Sequence, residues 1–308
     1  MKTHGSILLI FLATIGYGLM PIFTLVAYRA GTSAGELVLL RLGGAAVLMW
    51  VFLLLKGNFR TPGPKGFGRV AIMIGIPFTL TILAKFLAFT TMPVGVVQAI
   101  FYGYPLVVML ISTTTGRERF HLSRLFGYLI IFAGILFTLD FNDSRITFAG
   151  LALSFASTFI YSWYILSIRN KNVLPISSVH ITTIAMTTGT VIMLFVFPFM
   201  KSNGFSFSPS AWWGIAGLVL ISSIGAFLAF NTGAKQVDGS LAAIICCFEP
   251  IFTIIFEILF LEGFYTPRQF VGIILIPTGI ILSLILSRSP RERATLFPSM
   301  EATSETDR

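Results

Sequence analysis

The chain is predicted to be an all-α integral membrane protein: ten transmembrane helices arranged as two inverted five-helix repeats, with the N- and C-termini cytoplasmic. Three observations predict this. Of its 308 residues, 56% are hydrophobic and only 11% charged, with mean hydropathy +0.90, where soluble domains carry about 25% charged residues. Ten apolar runs fill nearly the whole chain without period-two alternation; since only helices or closed barrels satisfy their backbone inside hydrocarbon, such runs are helices. The second five runs repeat the first five at an offset of about 144 residues, as in two-repeat membrane folds.

At about 20 residues per crossing, the spans fall at 6–27, 36–55, 70–91, 94–115, 125–140, 148–168, 177–199, 212–234, 240–261 and 268–287. The first lacks a small-x-small cleavage site and is long enough to cross, so it reads as a mature helix and not a signal peptide. The fifth has a short apolar core, Leu125 to Leu139, and needs Phe141 or a thin local bilayer to complete it. The repeats divide at 6–140 and 141–287. The polar stretch 288–308, with Pro290 and Pro298, reads as a disordered cytoplasmic tail.

Orientation follows from Lys and Arg, which are retained on the cytoplasmic side. With the N-terminus inside, fifteen of them fall in cytoplasmic segments and four outside, Arg29, Arg145, Lys201 and Arg268, while Arg41 and Lys85 lie within spans. The net charge of +9 is therefore a topology signal near anionic lipid, not a nucleic-acid footprint. Cys246 and Cys247 are adjacent within a span, which suits small apolar packing and neither a disulfide framework nor a metal site. There is no phosphate-binding Gly-x-x-x-x-Gly-Lys-Ser/Thr loop and no paired-acid or histidine-rich motif. The chain thus reads as a non-enzyme without a cofactor.

The repeat is visible residue by residue. At offset 144, Thr14 matches Thr158, Tyr17 matches Tyr161, Gly95 matches Gly239 and Ile100 matches Ile244. At offset 145, Pro105 matches Pro250, Gly127 matches Gly272 and Gly134 matches Gly279. Because five is odd, the second half enters the membrane from the opposite side. The halves are then related by a pseudo-twofold axis in the membrane plane, and exchanging their conformations gives alternating access to a midplane site.

These features resemble the drug/metabolite transporter superfamily, specifically its EamA-like ten-helix members, over residues 6–287. The resemblance is carried by Pro105 with Gly116-Arg117-Glu118-Arg119 closing the fourth span, by Phe248-Glu249-Pro250 with Leu261-Glu262-Gly263 closing the ninth, and by the Gly-rich fifth and tenth spans; the first span, Gly16-Tyr17-Gly18, departs mildly from the family's aromatic-glycine pattern. It implies transport of small metabolites through a central cavity lined by spans 1, 3, 4, 6, 8 and 9, in a bacterial inner (plasma) membrane.

Ionisable residues within a span cost roughly 2.5–3.5 kcal/mol at the centre, so each needs a partner or a task. Lys85 is read as binding a substrate carboxylate, and Glu249 or Glu257 as competing for it and taking a proton during turnover. The alternative is a structural Lys85–Glu257 pair. Glu249 is close to the midplane, about 10 Å deeper than Lys85 at 1.5 Å rise per residue, but it precedes Pro250, where its carboxylate can instead satisfy freed backbone groups. Arg41, near the outer end of span 2, reads as snorkelling to the interface, with a place in the cavity as the alternative. Gln98, Tyr102, Pro105 and Met109 share one face of span 4. Tyr17 and Tyr161 are repeat partners facing one axis, whereas Trp163 and Tyr164 read as interfacial aromatics. Pro105 and Pro250, recurring in both halves, are the candidate hinges. The glycines of spans 5 and 10 mark close packing, either within the chain or as a homodimer contact.

The sequence therefore reads as a secondary carrier in the lipid bilayer. Its small-molecule substrate is an amino acid or related amphipathic carboxylate, exported or exchanged. Nucleobases or amphipathic drugs are the alternative, and a channel or membrane enzyme is further off.

Overall fold

In a computed structural model of the chain, residues 3–57, 62–89, 91–92, 94–117, 122–138, 146–261 and 266–286 are described. Every element among them is helical. The first half holds α1 (Thr3–Gly18), α2 (Met20–Arg29), α3 (Ala34–Leu55), α4 (Gly63–Val70), α5 (Ile76–Phe89), α6 (Val94–Phe101), α7 (Tyr104–Thr114) and α8 (Leu122–Thr138). The second holds α9 (Phe148–Ile168), α10 (Ser178–Val196), α11 (Ala211–Gly217), α12 (Ala226–Ala234), α13 (Gly239–Cys246), α14 (Glu249–Leu261) and α15 (Pro267–Leu286).

Among the described residues, seven helical stretches are long and apolar enough to cross a membrane: 4–29, 34–55, 63–85, 148–168, 178–199, 211–234 and 239–260. The fourth, fifth and tenth expected spans contain the shorter apolar helices Tyr104–Thr114, Leu125–Phe137 and Phe270–Ser283. The expected tail, 288–308, lies outside the described residues.

The helix starts are written locally. Ser33 and Glu36 form a reciprocal capping box at α3, and Thr147 and Ser177 cap α9 and α10 through their hydroxyls. Internal breaks are written by proline. Pro105 has no N–H to give the Phe101 carbonyl, and Pro250 none for Cys246. Both segments tighten there into three-residue turns: Leu106 N donates to Gly103 O and Ile251 N donates to Phe248 O, at 3.1 and 3.0 Å. The breaks at 102–103 and 247–248 are thus equivalent at offset 145. Pro21 likewise follows the break between α1 and α2, which has no counterpart in the unbroken α9. The third span of each half carries a π-helical segment, at Ala71–Gly75 and Leu218–Gly225.

Packing exchanges the halves. The first span of one half lies on the third of the other, α1 on α12 and α9 on α5, while α3 pairs with α10 and α8 with α15. Along α8 and α15 the glycines permit backbone contact: a Cβ at Gly127 would sit 2.5 Å from the Ser283 Cβ and 2.8 Å from the Gly279 carbonyl oxygen. Gly134 and Gly279 likewise meet α15 and α8 closely within the chain.

The break in span 4 is bracketed by α9. Thr158 Oγ1 donates to the Ile100 carbonyl at 3.1 Å and Ser162 Oγ to the Tyr104 carbonyl at 3.2 Å. Each hydroxyl also donates back to its own helix, Thr158 to the Ser154 carbonyl at 2.9 Å and Ser162 to the Thr158 carbonyl at 2.7 Å. The repeat partner Thr14 likewise turns back to the Ile10 carbonyl, with the Cys246 Sγ 3.9 Å away, while Gly18 stands in place of Ser162. Cys246 and Cys247 are buried free thiols.

At the far end of α3, Glu36 is fully buried and ties the two halves together. Its Oε1 accepts from Ser202 Oγ, Asn203 N and Phe205 N at 2.7–2.9 Å, and its Oε2 from Ser33 N at 2.8 Å.

Candidate functional site

A cavity of about 410 Å³ opens where α1, α2, α3, α5, α6, α9 and α14 meet. The kink before Pro21 lays a strip of the first span along it, with Tyr17, Met20, Thr24, Leu25 and Tyr28 facing in. Phe78, Ile82 and Lys85 come from α5, Arg41 from α3, Phe101 from α6, Tyr161 from α9 and Glu249 from α14. The wall is mostly aromatic and aliphatic, and its charged residues are Arg41, Lys85 and Glu249.

Each charge is held differently. The Lys85 Nζ stands 3.8 Å from the centroid of the Phe101 ring, a cation–π contact. Glu249 is the first residue of α14, where the helix dipole favours a carboxylate, and its Oε1 accepts from Tyr102 Oη at 3.3 Å. The guanidinium of Arg41, 7% exposed, donates from Nε to Ser223 Oγ at 2.7 Å and from Nη1 to the Met20 Sδ at 3.0 Å. Among the described residues the ion pair is Arg169–Asp238, on the surface at 3.1 Å. The three cavity charges are not closed upon one another.

One end of the cavity is sealed by stacked rings. Tyr161 packs edge-on against Tyr104 with centroids 4.9 Å apart, Phe78 meets Phe227 at 4.6 Å, and Tyr164 stacks on Phe227 at 5.7 Å. Tyr104, Tyr164, Phe227 and Phe230 are buried to 1% exposure or less. The other end runs along α2 to Tyr28, which is 37% exposed.

Four residues singled out in the sequence, Lys85, Glu249, Tyr17 and Tyr161, come together in this cavity. Tyr102 stands behind it, bridging the break of span 4 to that of span 9 through Glu249. Gln98 and Glu257 fall on α6 and α14, but their side chains lie outside the described residues, as does the Lys85–Glu257 pairing. Pro105 and Pro250 are the second residues of α7 and α14; Pro105 faces a separate apolar slot with Phe132, Phe155 and Phe159.

Two expectations are corrected. Arg41 does not snorkel: it is buried and lines the cavity, because its face of α3 packs towards α2 and the π segment at Leu218–Gly225, where Ser223 receives it. Tyr164 is no interfacial residue but part of the ring seal, whereas its neighbour Trp163 is 55% exposed. A buried arginine seven residues into an apolar helix was the available signal, but burial on that helix depends on facing, which depth alone does not give.

Comparison with known proteins gives this arrangement its context. The pattern of the EamA-like transporter family matches twice, at residues 4–140 and 148–285. The chain is 29% identical over 148 residues to the uncharacterized inner membrane transporter YicL of Salmonella typhimurium, a match covering 47% of each protein, so that it spans about half the length of that relative. It is 23% identical over 270 residues to the uncharacterized transporter YcbK of Bacillus subtilis, covering 83% of this chain and 85% of that one. A solved crystal structure of a protein at 17% identity superposes with a TM-score of 0.79, covering 92% of this chain and 97% of the other, which establishes a shared fold. With two family repeats spanning most of its length around one buried, charged cavity, the chain belongs to the EamA-like transporter family and is a multi-pass membrane transporter.

Proposed function

We propose that the protein is a ten-span secondary carrier of a bacterial inner membrane. Its two halves are inverted, its termini are cytoplasmic, and it moves small amphipathic carboxylates, amino acids first, by alternating access. The observation that carries this reading is the cavity: two cations and one carboxylate, none closed into an ion pair with another, set in an aromatic wall at the point where the broken helices of both repeats meet. Binding sites beside discontinuous helices are a recurring device of such carriers. Lys85 takes the carboxylate, Glu249 competes for Lys85 and receives the substrate ammonium, and Tyr17 and Tyr161 flank the apolar part. With the N-terminus inside, the open end at Tyr28 faces outward and the ring seal at Tyr164 and Phe227 faces the cytoplasm. Pro105 and Pro250 are the hinges of the exchange. The aromatic wall favours a second reading, nucleobases or amphipathic drugs.

The test is counterflow of a labelled amino-acid panel in proteoliposomes. The expected result is exchange in the intact protein and loss of carboxylate-bearing substrates, with neutral ones retained, in Lys85→Ala. Exchange of nucleobases but of no amino acid overturns the first reading in favour of the second.

A further inference from the structure

We infer that the cavity selects substrates bearing one net negative charge, and that Arg41 is the anchor that sets this selectivity. This rests on the reading that the cavity carries carboxylates. The charged groups on the cavity wall are Arg41, Lys85 and Glu249; with all three ionised they leave one positive charge over. That excess sits on Arg41. Its guanidinium keeps its proton, is more than nine-tenths buried, and donates its hydrogen bonds to neutral groups, the Ser223 hydroxyl and the Met20 thioether. A buried charge without a counter-ion is costly in a low-dielectric setting, and neither neighbour can compensate it. Arg41 and Lys85 share the cavity with the same carboxylate, Glu249, and Lys85 has in addition the Phe101 ring at 3.8 Å, so the excess falls to Arg41.

A zwitterion bound to this site places its ammonium against Glu249 and its carboxylate against one cation, leaving the total at plus one. A substrate with one further carboxylate brings the total to zero. An acidic amino acid or a monoanionic amphipathic acid fits, with the extra carboxylate on Arg41. The guanidinium suits this role because its planar donor fork can take a carboxylate in two parallel hydrogen bonds.

The experiment compares three labelled probes of similar length in counterflow with the purified full chain in proteoliposomes: glutarate with two negative charges, glutamate with one net negative charge, and glutamine with none. The intact protein is expected to prefer glutamate. In Arg41→Gln the glutamate-to-glutamine ratio should fall by about tenfold, the equivalent of roughly 1.4 kcal/mol. Arg41→Lys should keep the acidic preference. Glu249→Gln raises the site by one charge and should shift preference the other way, towards glutarate. A ratio unmoved in Arg41→Gln while glutamine still exchanges overturns the inference. Should Arg41→Gln not assemble, an unchanged glutarate-to-glutamate ratio in Glu249→Gln overturns it instead. Preference of the intact protein for glutamine sinks the charge rule alone, whereas exchange of no carboxylate at all sinks the carrier reading together with it.

Discussion

Single side chains in this protein carry tasks that their residue type alone does not disclose. Glu36 is an acid buried at the start of an apolar helix, and three of its four hydrogen bonds fasten α3 to the 202–205 segment of the other half, the fourth capping its own helix at Ser33. Glu36→Ala leaves those donors without an acceptor, which should destabilise the protein by about 2–4 kcal/mol, read as a lower unfolding midpoint in detergent. Tyr102 is a second case. Tyr102→Phe removes the hydrogen bond to Glu249 while keeping the ring, so exchange should slow by about three- to tenfold with thermal stability little changed. The sequence disclosed Tyr17, Tyr161, Lys85 and Glu249, because repeat partnership and depth are both properties of a linear string. Arg41 and Tyr164 were misplaced for a common reason. Each is near a helix end, where depth permits snorkelling or an interfacial seat, and only the neighbouring helices decide that the side chain points inwards.

At the scale of helices, the proline pair legible at offset 145 became a pair of equivalent breaks, since a missing N–H acts the same way in either half. Restoring that N–H with Pro105→Ala or Pro250→Ala should permit a continuous helix. The expected outcome is an unfolding midpoint that is unchanged or raised, together with exchange slowed by about tenfold, as for a stiffened hinge. The π segments at Ala71–Gly75 and Leu218–Gly225 were not legible, because a single wide turn leaves no composition signature and arises from packing. The glycine pattern was legible as close packing, but not in its partner. In Gly127→Val the new side chain would meet Ser283 and the Gly279 carbonyl, so a loss of about 1–3 kcal/mol is expected from overpacking, against no effect for Gly68→Ala, whose surroundings are open.

For the molecule as a whole, the charge bias of the loops makes a prediction about sidedness. With Cys246 and Cys247 buried, single cysteines at exposed positions report cleanly. Lys201→Cys should react with a membrane-impermeant maleimide in intact cells, and Lys171→Cys only after permeabilisation. The reverse pattern would invert the topology and the assignment of the open end.

The Ser162 hydroxyl, which reaches both the Thr158 and the Tyr104 carbonyls, has Gly18 as its repeat partner, so this bridge to the broken span is made in one half only. Two states made from such halves are unequal in free energy. At about 1 kcal/mol for one net hydrogen bond, that single difference amounts to a resting population ratio of roughly fivefold. A protein built from two related halves would then rest in one conformation, and its ligand would have to supply that difference before the rarer form could accumulate.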